Sequence, residues 1–287
     1  MIYLSSFRFP SWDSEYSFRL NEVKRTCYNT IYPFFVLSRR ALRELNFTDV
    51  TILYGGNGSG KTTALNVIAE KLGLARTALY NRSSFFGDYL KMCSSSKERD
   101  IPSHSAVITS DDVFSYMLDI RAVNEGVDIR REELFDEYNR RKRELSAVRS
   151  LEDFDRLKDI VDARRLTQSK FVKSRLGDNI KEQSNGESAY FYFTQRVKGG
   201  GLYLLDEPEN SLAPDLQLKL CDFLFESVRF FGCQLVIATH SPFILSMRGA
   251  RIYDLDDDPV SIKKWTELRN VRAYYDFFKA HGKEFEE

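Results

Sequence analysis

Four mostly apolar runs of strand length divide the chain, and polar or glycine-rich residues follow each of them directly. The runs are 50–54, 106–110, 201–206 and 234–238. Such runs are typical of strands buried on both faces, as in a parallel sheet covered by helices. The carboxyl ends of these strands meet at one edge, where ligands bind. The pattern therefore predicts an α/β fold, a mainly parallel sheet flanked by helices, with a ligand site at that edge.

The segment ahead of residue 50 has a different pattern, in which apolar and polar side chains alternate. The alternation covers 2–9 and 17–20, and 31–37 is a third short extended candidate. Alternation is typical of strands with one solvated face. We therefore predict an N-terminal antiparallel sheet packed beside the strand at 50–54.

A charge-rich region with apolar residues at helical spacing lies between the second and third runs. It follows an irregular stretch at 81–103 and the strand at 106–110. Asp111 is a candidate N-cap for a helix through Ile120. From 128 to 176 the spacing predicts two long helices joined near Arg149, the second capped by 150–153.

Glycines, a lysine and threonines follow the first buried run, ahead of a helical pattern over 64–72. They fit G-x-x-x-x-G-K-[ST], the phosphate-binding P-loop, in the strand, loop and helix order that it requires. Glycines let backbone N–H groups turn around a phosphate, and the helix N-terminus attracts the same anion. Lys61 would reach the β- and γ-phosphates, and Thr62 would bind Mg²⁺. The predicted nucleotide-binding residues are Gly55, Gly56, Asn57, Gly58, Ser59, Gly60, Lys61, Thr62 and Thr63.

Acidic and histidine side chains end the third and fourth runs. Asp206 and Glu207 close the third run, as in a Walker B motif. Asp206 would support Mg²⁺, and Glu207 would polarise the water that attacks the γ-phosphate. His240 follows the fourth run and is the candidate γ-phosphate sensor. Together these residues predict an ATPase site, with Glu207 and His240 as its catalytic residues.

A fourth motif, Ser184-Asn185-Gly186-Glu187, precedes the Walker B strand and leads into a helical pattern over 189–197. With it the chain resembles the ABC-type ATPases, the superfamily that includes transporter cassettes and SMC-like DNA-repair ATPases, over about 48–75 and 180–255. The resemblance implies that Ser184, Asn185, Gly186 and Glu187 complete the ATP site of a second subunit. It also implies ATP and Mg²⁺ as ligands, and a head-to-tail homodimer formed on ATP binding.

The motif at 206–214, D-E-P-E-N-S-L-A-P, and the T-H-S-P at 239–242 look most like those of stand-alone bacterial ATPases of AAA-like and SMC-like type. Ala213 stands where transporter cassettes carry the D-loop aspartate. No glutamine precedes Gln168, so the Q-loop glutamine is missing, and 82–86 lies in its place. These departures favour an ATP-driven switch that acts on nucleic acid or on a neighbour-encoded effector protein, as in DNA repair or phage defence. The alternative is the nucleotide-binding subunit of a transporter.

The motifs divide a single ABC-type ATPase domain, 1–287, into three parts. The N-terminal sheet and P-loop core would occupy 1–100, and the helical insertion 101–180. The signature, Walker B and histidine-loop core would occupy 181–287, with an edge strand at 251–255 and a closing helix at 271–285. The resemblance also implies an aromatic residue that stacks on adenine. Tyr32 and Phe34 are candidates, and a position in the core is the alternative for both.

Charge and composition limit the partners and the compartment. The 42 basic and 42 acidic residues cancel, so overall charge does not attract nucleic acid. The basic stripe Arg140–Arg143 could still bind phosphates, and the alternative is a solvated face paired with glutamates three or four residues away. The scattered cysteines Cys27, Cys93, Cys221 and Cys233 predict reduced thiols. Since no leader-like segment or apolar run of roughly 20 residues is present, we expect a cytoplasmic protein without membrane insertion.

Overall fold

A computed structural model describes residues 1–21, 28, 30–143, 154–176 and 184–286. In the described ranges the strands are β1 Leu4–Arg8, β2 Glu44–Asn46, β3 Val50–Tyr54, β4 Ser94–Lys97, β5 Ala106–Thr109, β6 Leu202–Asp206, β7 Gln234–Ala238, β8 Arg251–Asp254 and β9 Ser261–Lys263. The helices are α1 Trp12–Asn21, α2 Lys61–Leu72, α3 Phe86–Met92, α4 Ser110–Arg143, α5 Phe154–Arg165, α6 Gln168–Lys173, α7 Asn185–Arg196, α8 Pro214–Phe231, α9 Pro242–Leu245 and α10 Arg269–Ala280.

The four apolar runs form four adjacent strands, β5, β6, β7 and β3, of one six-stranded sheet. The strand order of this sheet is β5-β6-β7-β3-β8-β9. All neighbouring pairs are parallel except β8 and β9. Every residue of β3, β6 and β7 is buried, which is why these strands have mostly apolar sequences. The predicted α/β fold with a mainly parallel sheet is confirmed. Because β3, β6 and β7 are neighbours, their carboxyl ends bring residues 55, 207 and 239 to one edge.

The N-terminal antiparallel sheet is present, although two of its predicted strands are wrong. Its order is β2-β1-β4. Residues 17–20 belong to α1, and 31–37 form turns. Glu15 of helix α1 is buried. Its Oε2 accepts a hydrogen bond from the Phe35 backbone N–H and another from Ser38 Oγ, the latter at 2.9 Å. These bonds hold 31–38 as a loop, which a pattern of apolar residues cannot reveal.

The stretch 81–103, predicted to be irregular, contains α3 and β4. Strand β4 consists of three serines and a lysine and pairs with β1 in antiparallel register. Its side chains are mostly exposed, so the backbone ladder rather than apolar burial defines it. This composition explains why the hydrophobic pattern misses the strand.

Two compact units can be distinguished, Met1–Phe114 with Asn185–Glu287, and Ser115–Ser184. The second unit has its own core, formed by Leu134, Tyr138, Ala163, Phe171 and Val172. It begins later than the predicted insertion at 101, because β5 belongs to the six-stranded sheet.

Helix α4 is longer than the sequence predicts. It runs without a break to Arg143, so the predicted end at Ile120 is wrong. Asp111 lies inside the first turn, and Asp112 makes the local contacts instead. Its Oδ2 accepts hydrogen bonds from the N–H and Oγ1 of Thr109, at 2.8 and 2.9 Å. The predicted joint near Arg149 and the cap at 150–153 lie outside the described residues.

The C-terminal part of the sheet also differs in detail from the prediction. Strand β8 was expected at the edge, but β9 pairs with it in antiparallel register and covers that side. Helix α10 begins at Arg269, and the predicted helix to 285 ends at Ala280, followed by a 3₁₀ turn over Gly282–Phe285.

The described cysteines are free thiols, as predicted. Cys93 and Cys233 are buried, and Cys221 is half-buried. Burial raises the pKa of the Cys93 thiol to about 12, so this side chain stays protonated and unreactive at neutral pH. Cys27 lies outside the described residues. None of the helices in the described ranges combines the length and the apolar character that a membrane crossing requires.

Candidate functional site

The P-loop joins the carboxyl end of β3 to the N-terminus of α2. Gly60 precedes the helix with a φ of 97°, a conformation that favours glycine. A Cβ atom at this position would lie 2.9 Å from Leu37 Cδ2. The carbonyl of Gly60 accepts the first helical hydrogen bond, from the N–H of Ala64 at 2.8 Å. The glycine therefore allows both the turn and the close approach of the loop at 31–38.

Lys61 is the first residue of α2, and only 5% of its side chain is exposed. Its Nζ donates hydrogen bonds to the carbonyl oxygens of Gly55 at 2.6 Å and Gly56 at 3.1 Å. The same Nζ is 3.9 Å from Glu207 Oε1. A buried ammonium group surrounded by the P-loop is suited to bind a phosphate group.

Thr62 and Asp206 connect the first turn of α2 to the end of β6. Thr62 Oγ1 donates a hydrogen bond to Asp206 Oδ1 at 3.1 Å. Burial raises the pKa of Asp206 to about 6, with the charge of Glu207 adding to this and the Thr62 hydrogen bond opposing it. A hydroxyl and a carboxylate are hard oxygen donors of the kind that Mg²⁺ prefers, so this pair fits the cation that the sequence predicts.

Glu207 follows Asp206 in a strained conformation. Its φ is 48°, which is uncommon for a residue with a side chain. Its N–H still donates to the carbonyl of Ala238 at 2.8 Å, so β6 and β7 remain paired up to this point. Its Oε2 accepts a hydrogen bond from Asn210 Nδ2 at 3.1 Å, and 26% of the side chain is exposed. The turn directs the carboxylate toward Lys61 and His240, while leaving it accessible to solvent.

His240 lies on the loop between β7 and α9. Its Nδ1 is 3.7 Å from Glu207 Oε1, and 49% of its side chain is exposed. Its carbonyl accepts a hydrogen bond from Asn270 Nδ2 of α10 at 2.6 Å. The structure therefore places Lys61, Glu207 and His240 around one point, although each comes from a different part of the chain.

Two neighbouring cavities lie beside the P-loop. The first measures about 290 Å³ and is lined by Val36, 57–63 and Glu207. The second measures about 510 Å³ and shares Val36 and Gly58 with the first. Its remaining lining residues are Arg19, Ile31, Phe34, Phe35, Arg39 and Arg40. The first cavity has the donors that phosphates need, and the second adds aromatic and apolar surface.

The two aromatic candidates for adenine stacking have contacts of their own. Phe34 is buried, and its ring stacks on Phe18 at a centroid distance of 4.7 Å. Tyr32 Oη donates a hydrogen bond to Thr63 Oγ1 at 3.1 Å. Phe34 therefore occupies a position in the core, the alternative given for it in the sequence analysis. It also lines the second cavity.

The signature motif lies where α7 begins. Asn185, Gly186 and Glu187 form the first turn of this helix, and Ser184 precedes it. A Cβ atom at Gly186 would lie 2.8 Å from Leu216 Cδ1 and 3.2 Å from the carbonyl oxygen of Ser211. Gly186 thus lies where α7 packs closely against the start of α8, and a larger residue would have to displace the Leu216 side chain. Within the described part of the P-loop unit, Asn185, Gly186 and Glu187 lie outside the lining of both cavities.

Sequence reasoning missed the residues that hold the histidine loop in place. Glu209 Oε1 accepts hydrogen bonds from Thr239 Oγ1, from the His240 N–H and from the Ser241 N–H. Ser241 Oγ in turn donates to Gln217 Oε1 of α8 at 2.6 Å. The second glutamate of the D-E-P-E segment was the available signal, since Asp206 and Glu207 already fill the Walker B roles and Glu209 has none in the predicted site.

Two family models match the chain. Residues 43–210 match the model described as "ABC transporter". Residues 189–246 match the model described as "AAA domain, putative AbiEii toxin, Type IV TA system". No curated protein matches the chain.

Similar solved structures include SMC head domains and transporter cassettes. The SMC head domain of Pyrococcus furiosus, bound to the C-terminal domain of ScpA, is 12% identical, with a TM-score of 0.41 over 81% of this chain and 95% of that one. The SMC head domain of Thermotoga maritima is 14% identical, with a TM-score of 0.37 over 77% and 92%. A dimeric bacterial ABC transporter cassette is 15% identical, with a TM-score of 0.36 over 77% and 88%.

Proposed function

The chain belongs to the family of ABC-type P-loop ATPases, and we propose that it is an ATP-hydrolysing switch that works as an ATP-sandwiched, head-to-tail homodimer. The proposed setting is cytoplasmic, in DNA repair or phage defence, with nucleic acid or a neighbour-encoded effector protein as the partner. The nucleotide-binding subunit of an ABC transporter is the second candidate, since the family model over 43–210 is described by that name.

The convergence of the Walker residues carries the proposal of hydrolysis. Lys61 Nζ and His240 Nδ1 lie 3.9 and 3.7 Å from the same oxygen, Oε1 of Glu207. In our proposal Lys61 binds the β- and γ-phosphates, Glu207 accepts a hydrogen bond from the attacking water, and His240 contacts the γ-phosphate. Thr62 and Asp206 would hold Mg²⁺, which when bound neutralises charge on the phosphate oxygens.

Three features support a switch rather than a transporter subunit. Ala213 stands at the D-loop position, where transporter cassettes carry an aspartate. It is the N-cap residue of α8, and its methyl side chain makes no capping hydrogen bond. No glutamine precedes Gln168, so the residue that couples transporter cassettes to their membrane domains is missing. The match of 189–246 to a toxin-related AAA model also favours a stand-alone ATPase.

The position of the signature motif supports the dimer. Asn185, Gly186 and Glu187 begin a helix but do not line the described P-loop cavities. A helix N-terminus binds anions through its free N–H groups and its dipole. If the motif is to contact ATP, a second copy of the chain has to present it from the opposite side of the nucleotide.

Steady-state ATP turnover by the purified chain, with and without Mg²⁺, tests the proposed chemistry. We expect Mg²⁺-dependent release of phosphate without any membrane component. Addition of DNA, RNA or the neighbour-encoded protein should change the rate if the chain is a switch. Turnover that requires a co-purifying membrane protein would instead support the transporter subunit.

A further inference from the structure

A single buried carboxylate oxygen organises the loop that carries His240. Oε1 of Glu209 accepts three hydrogen bonds from consecutive residues, at 2.6 Å from Thr239 Oγ1, 3.0 Å from the His240 N–H and 3.1 Å from the Ser241 N–H. Charged acceptors make stronger hydrogen bonds than neutral ones. The three bonds therefore fix the backbone on both sides of His240.

The surroundings of Glu209 leave this carboxylate little freedom to move. Its side chain is only 6% exposed. Its Oε2 is buried and, among the described residues, has no hydrogen-bond partner. A buried oxygen without a partner is costly, so its presence calls for an explanation. The glutamate at this position is therefore better explained by the three hydrogen bonds that Oε1 accepts from the histidine loop than by a gain in the stability of the fold.

The loop is also tied to the strands and helices around it. The Thr239 N–H donates to the carbonyl of Leu53 at 3.2 Å, at the end of the strand that leads into the P-loop. Gln217 of α8 accepts from Ser241 Oγ at 2.6 Å. Glu209 lies two residues after Glu207, and Asn210 Nδ2 donates to Glu207 Oε2 at 3.1 Å. Asn210 thus contacts the catalytic carboxylate of Glu207, and its neighbour Glu209 contacts the histidine loop.

We propose that Glu209 is a positioning residue for ATP hydrolysis, which holds the His240 imidazole opposite Glu207 by fixing the backbone of residues 239–241 and by placing its own Oε1 at 3.7 Å from His240 Nδ1. The inference rests on the proposed function, because it assigns Glu209 a role in the same reaction. Glu209 acts through His240 and does not bind the nucleotide. Its removal should therefore lower kcat and leave KM and nucleotide affinity nearly unchanged.

A double-mutant cycle separates this role from a general effect on the fold. Glu209→Ala should lower kcat by about tenfold or more, with KM and the Kd for a fluorescent ATP analogue within about twofold of the unmodified chain. In the His240→Ala background the same substitution should have no further effect, because the residue through which Glu209 acts is gone. Glu226→Gln, an exposed site on α8, is the matched control and should behave as the unmodified chain.

A spectroscopic readout tests the position of His240 without requiring turnover. The chain contains three histidines, so ¹H–¹³C correlation spectra of the imidazoles can be assigned with single His variants. Glu209→Ala should shift or broaden the His240 signal and leave those of His104 and His281 in place. If the unmodified chain does not hydrolyse ATP, the proposed function fails, while this spectrum still decides whether Glu209 holds the His240 imidazole in place.

An unchanged kcat, or the same loss of kcat in the His240→Ala background, would overturn the proposal, and so would an unchanged His240 signal. If Glu209→Ala does not fold, Glu209→Gln provides the same test, because its amide keeps one acceptor oxygen and loses the charge. We expect a smaller fall in kcat for Glu209→Gln, again absent in the His240→Ala background. Equal losses in both backgrounds would contradict positioning.

Discussion

Thr62 Oγ1 donates a hydrogen bond to Asp206 Oδ1 at 3.1 Å, although 144 positions separate the two residues. The contact exists because β3 and β6 both pair with β7, so the strands that lead into the P-loop and into the Walker B turn end at the same edge. The parallel sheet thereby brings together a hydroxyl and a carboxylate that suit Mg²⁺.

Asp206→Asn should stabilise the protein at high pH in the absence of Mg²⁺ and nucleotide. The pKa of Asp206 rises from 3.8 to about 6 on folding, so the folded chain binds this proton more tightly than the unfolded chain. The stability from this group is present below pH 4 and is lost as the pH rises through 6. The full shift corresponds to about 3 kcal/mol, which the neutral amide should recover.

Thermal unfolding of Asp206→Asn and the unmodified chain at pH 4, 6 and 8 measures this effect. The difference in Tm should be largest at pH 8 and small at pH 4, and Asp222→Asn on the exposed side of α8 should show no such trend. A Tm of Asp206→Asn at or below that of the unmodified chain at pH 8 would show that burial does not penalise the carboxylate.

The strands that lead into the candidate site residues could be predicted from the sequence. The contacts among the side chains at the ends of these strands could not. Val50–Tyr54, Leu202–Asp206 and Gln234–Ala238 are buried on both faces, so each is a mostly apolar run followed by its polar residues. The three hydrogen bonds of Glu209 depend on the pairing of β6 with β7. They join residues about 30 positions apart, and no local pattern in the sequence records them.

Glu207→Gln should retain ATP binding and lose hydrolysis by about a hundredfold or more. In the proposed mechanism the carboxylate acts on the attacking water, so its loss should affect the transition state more than the ground state. Lys61→Ala should lose both binding and hydrolysis, because Lys61 Nζ lies inside the P-loop at 2.6 Å from the Gly55 carbonyl. Equilibrium binding of a fluorescent ATP analogue and phosphate release measure the two effects. Turnover by Glu207→Gln at the rate of the unmodified chain would remove Glu207 from the mechanism.

Reversal of the four charges of Arg140–Arg143 should change DNA binding by less than about twofold. Two of these residues already have partners within the helix. Arg141 Nε lies 3.5 Å from Glu137 Oε1, and Lys142 Nζ donates to Tyr138 Oη at 3.0 Å. Arg141 is only 18% exposed and is paired with Glu137, so the contacts favour charges that are used within the helix over a nucleic-acid surface. Fluorescence anisotropy with duplex and single-stranded DNA at two salt concentrations measures the affinity. A large loss at low salt, together with a weaker salt dependence, would establish the stripe as a phosphate-binding surface.

The irregular parts of the N-terminal half show why hydrophobic patterns fail there. Ser94–Lys97 is a strand without apolar residues, since its pairing with β1 uses backbone groups. The loop at 31–38 is held by the buried carboxylate of Glu15, which accepts from Phe35 and Ser38. A hydrogen bond between a helix and a distant loop depends on the tertiary structure, so a local pattern does not reveal it. The run of apolar residues in the loop instead has the pattern of a strand.

Analytical ultracentrifugation of Glu207→Gln tests the central claim, that ATP closes a dimer in which each signature motif meets the nucleotide of the other subunit. The γ-phosphate of ATP would bond both subunits, and ADP lacks it. A difference of about 2.7 kcal/mol between the two nucleotides would change the association constant about 100-fold. We predict a dimer with ATP and Mg²⁺ and mostly monomer with ADP. Ser184→Arg in the same background should remain monomeric while still binding nucleotide, and Ser14→Arg, at an exposed position of α1, should dimerise normally. A monomer of Glu207→Gln with ATP would contradict the dimer. Normal ATP hydrolysis by a monomeric Ser184→Arg chain that retains Glu207 would also contradict it, and would require the site to be complete within one chain.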